Sequence, residues 1–382
     1  MKILMALDYY RPNYSGLTLF AEQLASGLAR RGHAVSVLTH QHRPELPLES
    51  EENGVRVVRA AVAGRLGKAL ISPAILARAL REVPRSDVLH LHAPLVNAVP
   101  LSLIASTLRV PIVVTYHCDL QPPSGLGQRF VEVVARASQH FALERASRII
   151  TNTEDYARHT RPLVDRAEKV GWILPPVIEP AATGRPADEV RRLLKIAGRP
   201  VVFFLGRFAE EKGLPVLLTA FPEIRRRFPD AALVLAGAQK VAGETVFDQV
   251  APLLADPSSG VLATGTVSPE TLSDLFTIAD VLVLPSINST ESFGLVQVEA
   301  MLRGVPVVAS DLPGVRQPIR MTGMGEIARP GDAKDLAGKV LAVLEAPQRY
   351  RRSHAEIQAL FSQERTLSEY EAVYRCAAGA GG

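Results

Sequence analysis

The sequence predicts an α/β protein made of two doubly wound parallel-sheet domains in one chain. Three observations carry that reading. At 382 residues the chain exceeds what one hydrophobic core usually holds. Short runs rich in Val, Ile and Leu alternate with amphipathic stretches, as in parallel strands covered by helices on both faces. Between Trp172 and Pro180 three prolines in nine residues break this rhythm, and the same alternation then starts again.

In the amino-terminal half the strand-like runs are 3–7, 35–39, 55–59, 88–91, 112–116 and 148–151. Helical stretches fall near 17–31, 71–82, 95–108, 128–145 and 154–165. The loop from Asp8 to Gly16 follows the first run and opens a helix, at the strand end where such sheets bind ligands. The proline-rich stretch and the small residues 181–186 read as a linker. They divide the chain into an amino-terminal domain of 1–177 and a carboxy-terminal domain of 178–361. The second half opens with a helix near 187–196, followed by strands at 201–205, 233–236, 261–264, 281–284 and 305–309. Its further helices are expected at 214–227, 245–254, 269–278, 294–303, 334–345 and 349–361. A last helix, about 362–377, is expected to pack back on the first domain.

Composition narrows the function. Hydrophobic residues at 47% and charged residues at 21% exclude a disordered chain and a charged coiled coil. Cys118 and Cys376 are too few for a disulfide framework or a Cys-based zinc site. Residues 1–176 carry a net charge of +6 and residues 177–382 a net −2. The basic half suits an acidic substrate or an anionic membrane surface. One Trp and no aromatic-plus-basic tract speak against nucleic acid. The amino terminus reaches Asp8 after five apolar residues, too short for a signal peptide, and no 18 consecutive apolar residues occur. The expectation is a cytoplasmic protein, with peripheral contact at the inner membrane face left open.

The strongest chemical signal is Glu291-Ser-Phe-Gly-Leu-Val-Gln-Val-Glu299, directly after a strand and loop. A helix starting near Gly294 leaves Glu291 ahead of it and Glu299 inside it. Eight helical positions span about 12 Å, so the two carboxylates can hold hydroxyls at different points of one elongated ligand. The free N–H groups of the first turn make an anion site between them. The competing reading is a solvated Glu299 and a capping Glu291, but apolar Leu295, Val296 and Val298 flank the acids. A second cluster, Gly206-Arg-Phe-Ala-Glu-Glu-Lys-Gly213, follows the strand 201–205. Arg207 and Lys212 supply a planar fork and a point charge, as a diphosphate requires. The alternative is a surface turn whose Lys212 pairs with Glu210 or Glu211.

Taken together, the Glu-x7-Glu motif, the Gly-Arg-x4-Lys-Gly loop and the amino-terminal glycine loop resemble the family 4 retaining glycosyltransferases of GT-B fold. The resemblance covers essentially the whole chain and implies two Rossmann-like domains facing across a cleft. It implies that Arg207 and Lys212 neutralise the diphosphate of a nucleotide-sugar donor. Glu291 would hold a hydroxyl of the donor sugar, with the N–H groups of Phe293, Gly294 and Leu295 nearby. Glu299 would hold the ribose, and Val267 would meet the nucleobase. Many members have two adjacent glycines in the first loop. Here the match is Ser15-Gly16, with Gly16 able to approach a phosphate and Ser15 able to donate to it. His117 matches a family histidine against the donor sugar; its alternative is a histidine satisfied by Asp119.

His90 and His92 alternate onto one side of their strand and, with His117, raise a metal hypothesis. Nothing in the sequence brings tetrahedral ligands together, and no Asp-x-Asp occurs, so no metal and no cofactor is expected. Catalytic roles fall to His117, Arg207, Lys212 and Glu291. Tyr9, Tyr10, Asn13, Tyr14, His92 and Asn97 are the acceptor-side candidates, chosen by position. Arg65, Lys68, Arg78, Arg81 and Arg129 form a candidate membrane-facing patch, or simply a solvated basic face. The expected activity moves a hexose from a nucleotide diphosphate, UDP favoured over GDP, to a hydroxyl of a glycan, lipid or small molecule. The alternatives are a nucleotide-sugar 2-epimerase and a non-catalytic nucleotide-sugar-binding protein.

Overall fold

The computed structural model describes residues 1–66, 69–120, 126–179, 181–241 and 244–379. The chain divides into two compact units: Met1–Pro176 together with the chain from Ser362 onward, and Val177–Phe361.

Unit 1 contains β1 (Lys2–Ala6), β2 (Ala34–Gln41), β3 (Glu49–Glu52), β4 (Val55–Ala61), β5 (Gly64–Leu66), β6 (Ala69–Ile71), β7 (Val88–Ala93), β8 (Ile112–Tyr116), β9 (Arg148–Thr151) and β10 (Val170–Trp172). Its helices are α1 (Gly16–Arg30), α2 (Ala74–Glu82), α3 (Ala98–Thr107), α4 (Leu126–Arg145), α5 (Glu154–His159) and α6 (Arg161–Val164). The main sheet has the order β10-β9-β8-β7-β1-β2-β4-β3, parallel except for β3 against β4. Its central strands are buried on both faces, which is why they read as unbroken apolar runs. Core residues such as Leu4 and Val114 pack on one face, and Ile3, Met5, Val37 and Val113 on the other.

Unit 2 contains α7 (Ala187–Leu193), β11 (Val201–Leu205), α8 (Leu214–Arg227), β12 (Ala232–Ala236), α9 (Val246–Ala255), β13 (Val261–Gly265), α10 (Pro269–Ile278), β14 (Val281–Leu284), α11 (Leu295–Leu302), β15 (Val307–Ser310), α12 (Gln317–Thr322), β16 (Gly325–Ala328), α13 (Ala333–Glu345) and α14 (His354–Leu360). Its sheet is all parallel with the order β13-β12-β11-β14-β15-β16. The strand order reverses direction at β11, the switch point beside which ligands bind in open parallel sheets. The final helix, α15 (Gln363–Gly379), returns to unit 1 and buries Leu367, Tyr370 and Tyr374 in its core.

Several expected elements change where local chemistry overrides periodicity. The stretch 154–165 is two helices, because Pro162 in the first turn of α6 cannot continue the ladder of α5. The stretch 349–361 starts as a 3₁₀ turn at Pro347–Tyr350, and Ser353 then caps α14 with Glu356. Helix α15 runs on through the small residues at its end to Gly379.

Candidate active site

The carboxyl end of β11 leads through Gly206 into Arg207, Phe208 and Ala209. Phe208 and Ala209 are fully buried and anchor this loop on the sheet. A 3₁₀ turn, Glu210–Lys212, follows, and Gly213 at φ 67° turns the chain into α8. A side chain at Gly213 would put its Cβ 1.8 Å from the Pro285 carbonyl oxygen. The β11 loop therefore presses directly on the loop after β14. Ile287 N–H also donates to the Glu211 carbonyl at 3.1 Å.

That packing brings the two motifs together. Lys212 Nζ lies 2.5 Å from Glu291 Oε2, across 79 residues of sequence, with both side chains half-buried. Arg207 pairs with Glu211 at 2.8 Å, and Glu211 is buried. Lys212 thus pairs with neither Glu210 nor Glu211, and the partner acids are sorted differently from the surface-turn alternative. An ammonium has three donors and a guanidinium five, so each cation keeps hydrogens for a further anion beside its carboxylate.

Helix α11 begins at this point. Gly294 caps it at φ 75°, and a Cβ there would sit 2.4 Å from Leu284 Cδ2. Gly294 and Leu295 head the helix, so their N–H groups have no intrahelical acceptor and face the positive end of the dipole. Buried Gln297 holds the loop in place, donating to the carbonyls of Phe293 at 2.6 Å and Val315 at 2.9 Å. Phe293 itself is buried against Phe361. Glu299 lies inside the helix, 6% exposed, and burial raises its carboxyl from 4.5 to about 7. It has no hydrogen-bond or ion-pair partner among the described residues, so the solvated-helix alternative fails for Glu299. Val267 is half-buried in the loop between β13 and α10, whose cap is Ser268.

Unit 1 carries its own polar cluster. Ser15 caps α1 in a reciprocal box with Thr18, so its side chain already accepts from Thr18 N–H at 3.2 Å. Around Gly16 a Cβ would meet nothing within 4 Å, which leaves the backbone open to close approach. His117 follows β8 and is buried; its Nε2 lies 2.9 Å from His92 Nδ1. Asp119 accepts from Tyr116 Oη at 2.6 Å. His90 bonds Thr115 at 2.7 Å and Tyr374 of α15 at 2.9 Å. Burial lowers His90 and His117 well below the ordinary histidine value and His92 to about 3. All three are therefore neutral hydrogen-bonding groups near pH 7. Among the described residues no group of three His, Cys, Asp or Glu could hold a metal.

The acceptor-side candidates separate. Tyr10 is 1% exposed in the hydrophobic core, and His92 is fully buried beneath His117; neither offers a contact surface. His92 shares the inward side of β7 with His90, two residues before it, and Tyr10 turns into the core from the loop after β1. Tyr14 is exposed with Arg11 over its ring at 4.0 Å, Tyr9 and Asn13 are half-buried, and Asn97 bonds His40 at 3.0 Å. Arg78 pairs with Glu49, Arg65 bonds the His42 carbonyl, and Arg81 is exposed. Lys68 and the Arg129 side chain lie outside the described residues. Among the described residues no helix is long and apolar enough to cross a membrane. Sequence reasoning missed Glu211 and Gln297, whose roles follow from loop packing rather than from any motif.

The chain matches two family models: "Glycosyl transferase 4-like domain" over residues 15–173 and "Glycosyl transferases group 1" over residues 187–358. It is 30% identical to the phosphatidyl-myo-inositol mannosyltransferase of Mycolicibacterium smegmatis, over 91% of this chain and 86% of that protein. It is 28% identical to the 2-deoxystreptamine glucosyltransferase of Streptomyces kanamyceticus, over 85% of this chain and 88% of that protein. Among solved structures it is similar to sucrose-phosphate synthase from Thermosynechococcus elongatus, with TM-score 0.78, 22% identity and 99% of each chain covered. An Anabaena protein solved with UDP and glucose, HepE, gives TM-score 0.76 at 22% identity, covering 98% of this chain and 99% of that one. Epimerase and binding-protein readings are thereby set aside: the chain belongs to the family 4-like, retaining glycosyltransferases of GT-B fold.

Proposed function

We propose that this enzyme moves a hexose from a nucleoside diphosphate, UDP in preference to GDP, to a hydroxyl of a cyclitol or a cyclitol-bearing lipid. The observation that supports it most is the Lys212–Glu291 contact at the start of α11, with Glu299 buried further along the same helix. Arg207, Lys212 and the N–H groups of Phe293, Gly294 and Leu295 receive the diphosphate. Glu291 takes a hydroxyl of the sugar, Glu299 the ribose, and Val267 the base. In unit 1, Ser15, Gly16 and His117 serve the donor, while Tyr9, Asn13, Tyr14 and Asn97 serve the acceptor. The cyclitol assignment draws on relatives named for phosphatidyl-myo-inositol, D-inositol 3-phosphate and 2-deoxystreptamine, all substituted six-membered carbocycles.

The chemistry is a front-face displacement. As the bond from the anomeric carbon to the diphosphate oxygen breaks, the acceptor oxygen attacks from the same side, and its proton passes to the departing diphosphate. The protein's work is electrostatic: two fixed cations and a helix terminus meet the charge that develops on the leaving group. A thermal-shift panel of UDP-, GDP- and ADP-sugars tests the donor, since a ligand at 100 times its Kd adds about 2.7 kcal/mol. Stabilisation by UDP-sugars, followed by transfer to inositol or 2-deoxystreptamine, is the expected result. Stabilisation by none of the three, or donor consumption independent of any acceptor, overturns the proposal.

A further inference from the structure

We propose that His92 is a positioning residue that fixes His117 as the neutral tautomer protonated on Nδ1. This rests on the reading of His117 as a substrate contact, and a hydrogen bond between two rings carries it. His92 Nδ1 and His117 Nε2 are 2.9 Å apart, with ring planes inclined by only 14°. The parallel register places His92 opposite Thr115, and His117 N–H donates to the Ala93 carbonyl, so the backbone fixes both rings. One nitrogen of the pair must carry the shared hydrogen.

The opposite nitrogen of His92 decides which. His92 Nε2 is buried and has no hydrogen-bond partner among the described residues. If His117 were the donor, His92 would accept at Nδ1 and, being neutral, would bear its hydrogen on Nε2. That would leave a buried N–H with no acceptor. If His92 is the donor, Nε2 is a bare lone pair. Orphaned buried N–H donors are rarer than unsatisfied buried acceptors. Among the described residues the surroundings of His92 do not supply the missing acceptor. The His90 ring is tilted against it at 4.2 Å with both nitrogens committed to Thr115 and Tyr374, and the nearby Phe20 and Tyr370 rings pack on this cluster. The hydrogen therefore belongs to His92 Nδ1, and His117, accepting at Nε2, bears its own on Nδ1. Burial keeps both rings neutral, so the arrangement persists across the neutral pH range.

The consequence is directional. His117 meets its substrate as a hydrogen-bond donor from Nδ1, not as a base and not as a cation. His92 touches no substrate in this account; it holds the ring orientation and the proton position.

Ring 15N spectra of the full-length protein, with His92 and His117 assigned by substitution, read the tautomers without any turnover. Both rings should show a protonated Nδ1 and a bare Nε2. A protonated Nε2 on His117 overturns the proposal whether or not the enzyme transfers sugar. Kinetics test the positioning role separately. His92→Leu should lower kcat by about 10–100-fold, the range typical when a partner that orients an imidazole is lost. UDP affinity should stay near wild type. His92→Asn, which can set an amide N–H near the place of Nδ1–H, should recover much of the loss. A folded His92→Leu variant with wild-type kcat contradicts the role, and so does equal damage from His92→Asn. Should both variants fail to fold, the wild-type spectrum still decides the tautomer on which the proposal stands.

Discussion

Replacing Glu299 by Gln should make the protein more stable at pH 8 and leave it nearly unchanged at pH 4. Glu299 is 6% exposed, and burial alone raises its carboxyl to about 7. In the unfolded chain the same group ionises near its ordinary value, about 4.3. Between those two values the native state binds more protons than the unfolded one, so stability falls as pH rises. The contribution of the protonated acid is fully present below about pH 4.3 and is lost as pH climbs through about 7. At 1.36 kcal/mol for each pH unit between the two values, the charged carboxylate costs the fold about 4 kcal/mol at pH 8. Glutamine has nearly the shape of the protonated acid and never ionises, so the variant avoids that cost. For a unit of this size about 1 kcal/mol moves the melting temperature by roughly 2–4 °C. Thermal melts of both proteins at pH 4 and pH 8 should therefore diverge by roughly 8–16 °C at the higher pH only. A constant difference at both pH values would mean that Glu299 is ordinarily solvated, and the argument for its burial would fail.

Arg207→Ala and Lys212→Ala should each lower turnover by about 10²–10³-fold with the fold intact, the usual cost of one charge-stabilising donor. Near-wild-type rates in both would remove the diphosphate assignment. Gly213→Ala places a Cβ 1.8 Å from the Pro285 carbonyl at a φ that side chains avoid. It should cost about 1–3 kcal/mol in a denaturant titration and reduce turnover by displacing Lys212; wild-type values for both would show that the two loops are not locked together. Activity should persist in EDTA, because Arg207 and Lys212 supply the positive charge. Loss on chelation that Mn²⁺ restores would assign that role to a metal.

Much of this molecule is visible in its sequence, and the reason is burial. The central strands β1, β7, β8, β11 and β14 are enclosed on both faces, so each is an apolar run that composition alone reveals. Of the edges, β13 is visible and others are not. Strand β3 is Glu-Ser-Glu-Glu and β16 is Gly-Glu-Ile-Ala, half-buried at sheet margins where nothing demands an apolar pattern. The acids and cations of the site could be named, but their pairing could not. Lys212 meets Glu291 because Gly213 lets two loops touch, a consequence of three-dimensional packing across 79 residues. Tyr10 and His92 were misplaced for a related reason. Position at a strand's carboxyl end does not say which side of the chain faces the core. The same burial that removes His92 from the acceptor surface makes it the partner of His117.

The central claim is that α11 lies along the donor with Glu291 toward the sugar and Glu299 toward the ribose. Calorimetry with UDP, which has a ribose and a diphosphate but no sugar, tests it on wild type, Glu291→Gln and Glu299→Gln. Glu299→Gln should weaken UDP binding by roughly 10–100-fold, the worth of about 1.5–3 kcal/mol in hydrogen bonds to a charged group. Glu291→Gln should leave UDP affinity at least as strong, because Lys212 is then released from its carboxylate partner, while turnover falls. Equal loss in the two variants, or loss in the Glu291 variant alone, would mean that the helix runs the other way along the donor.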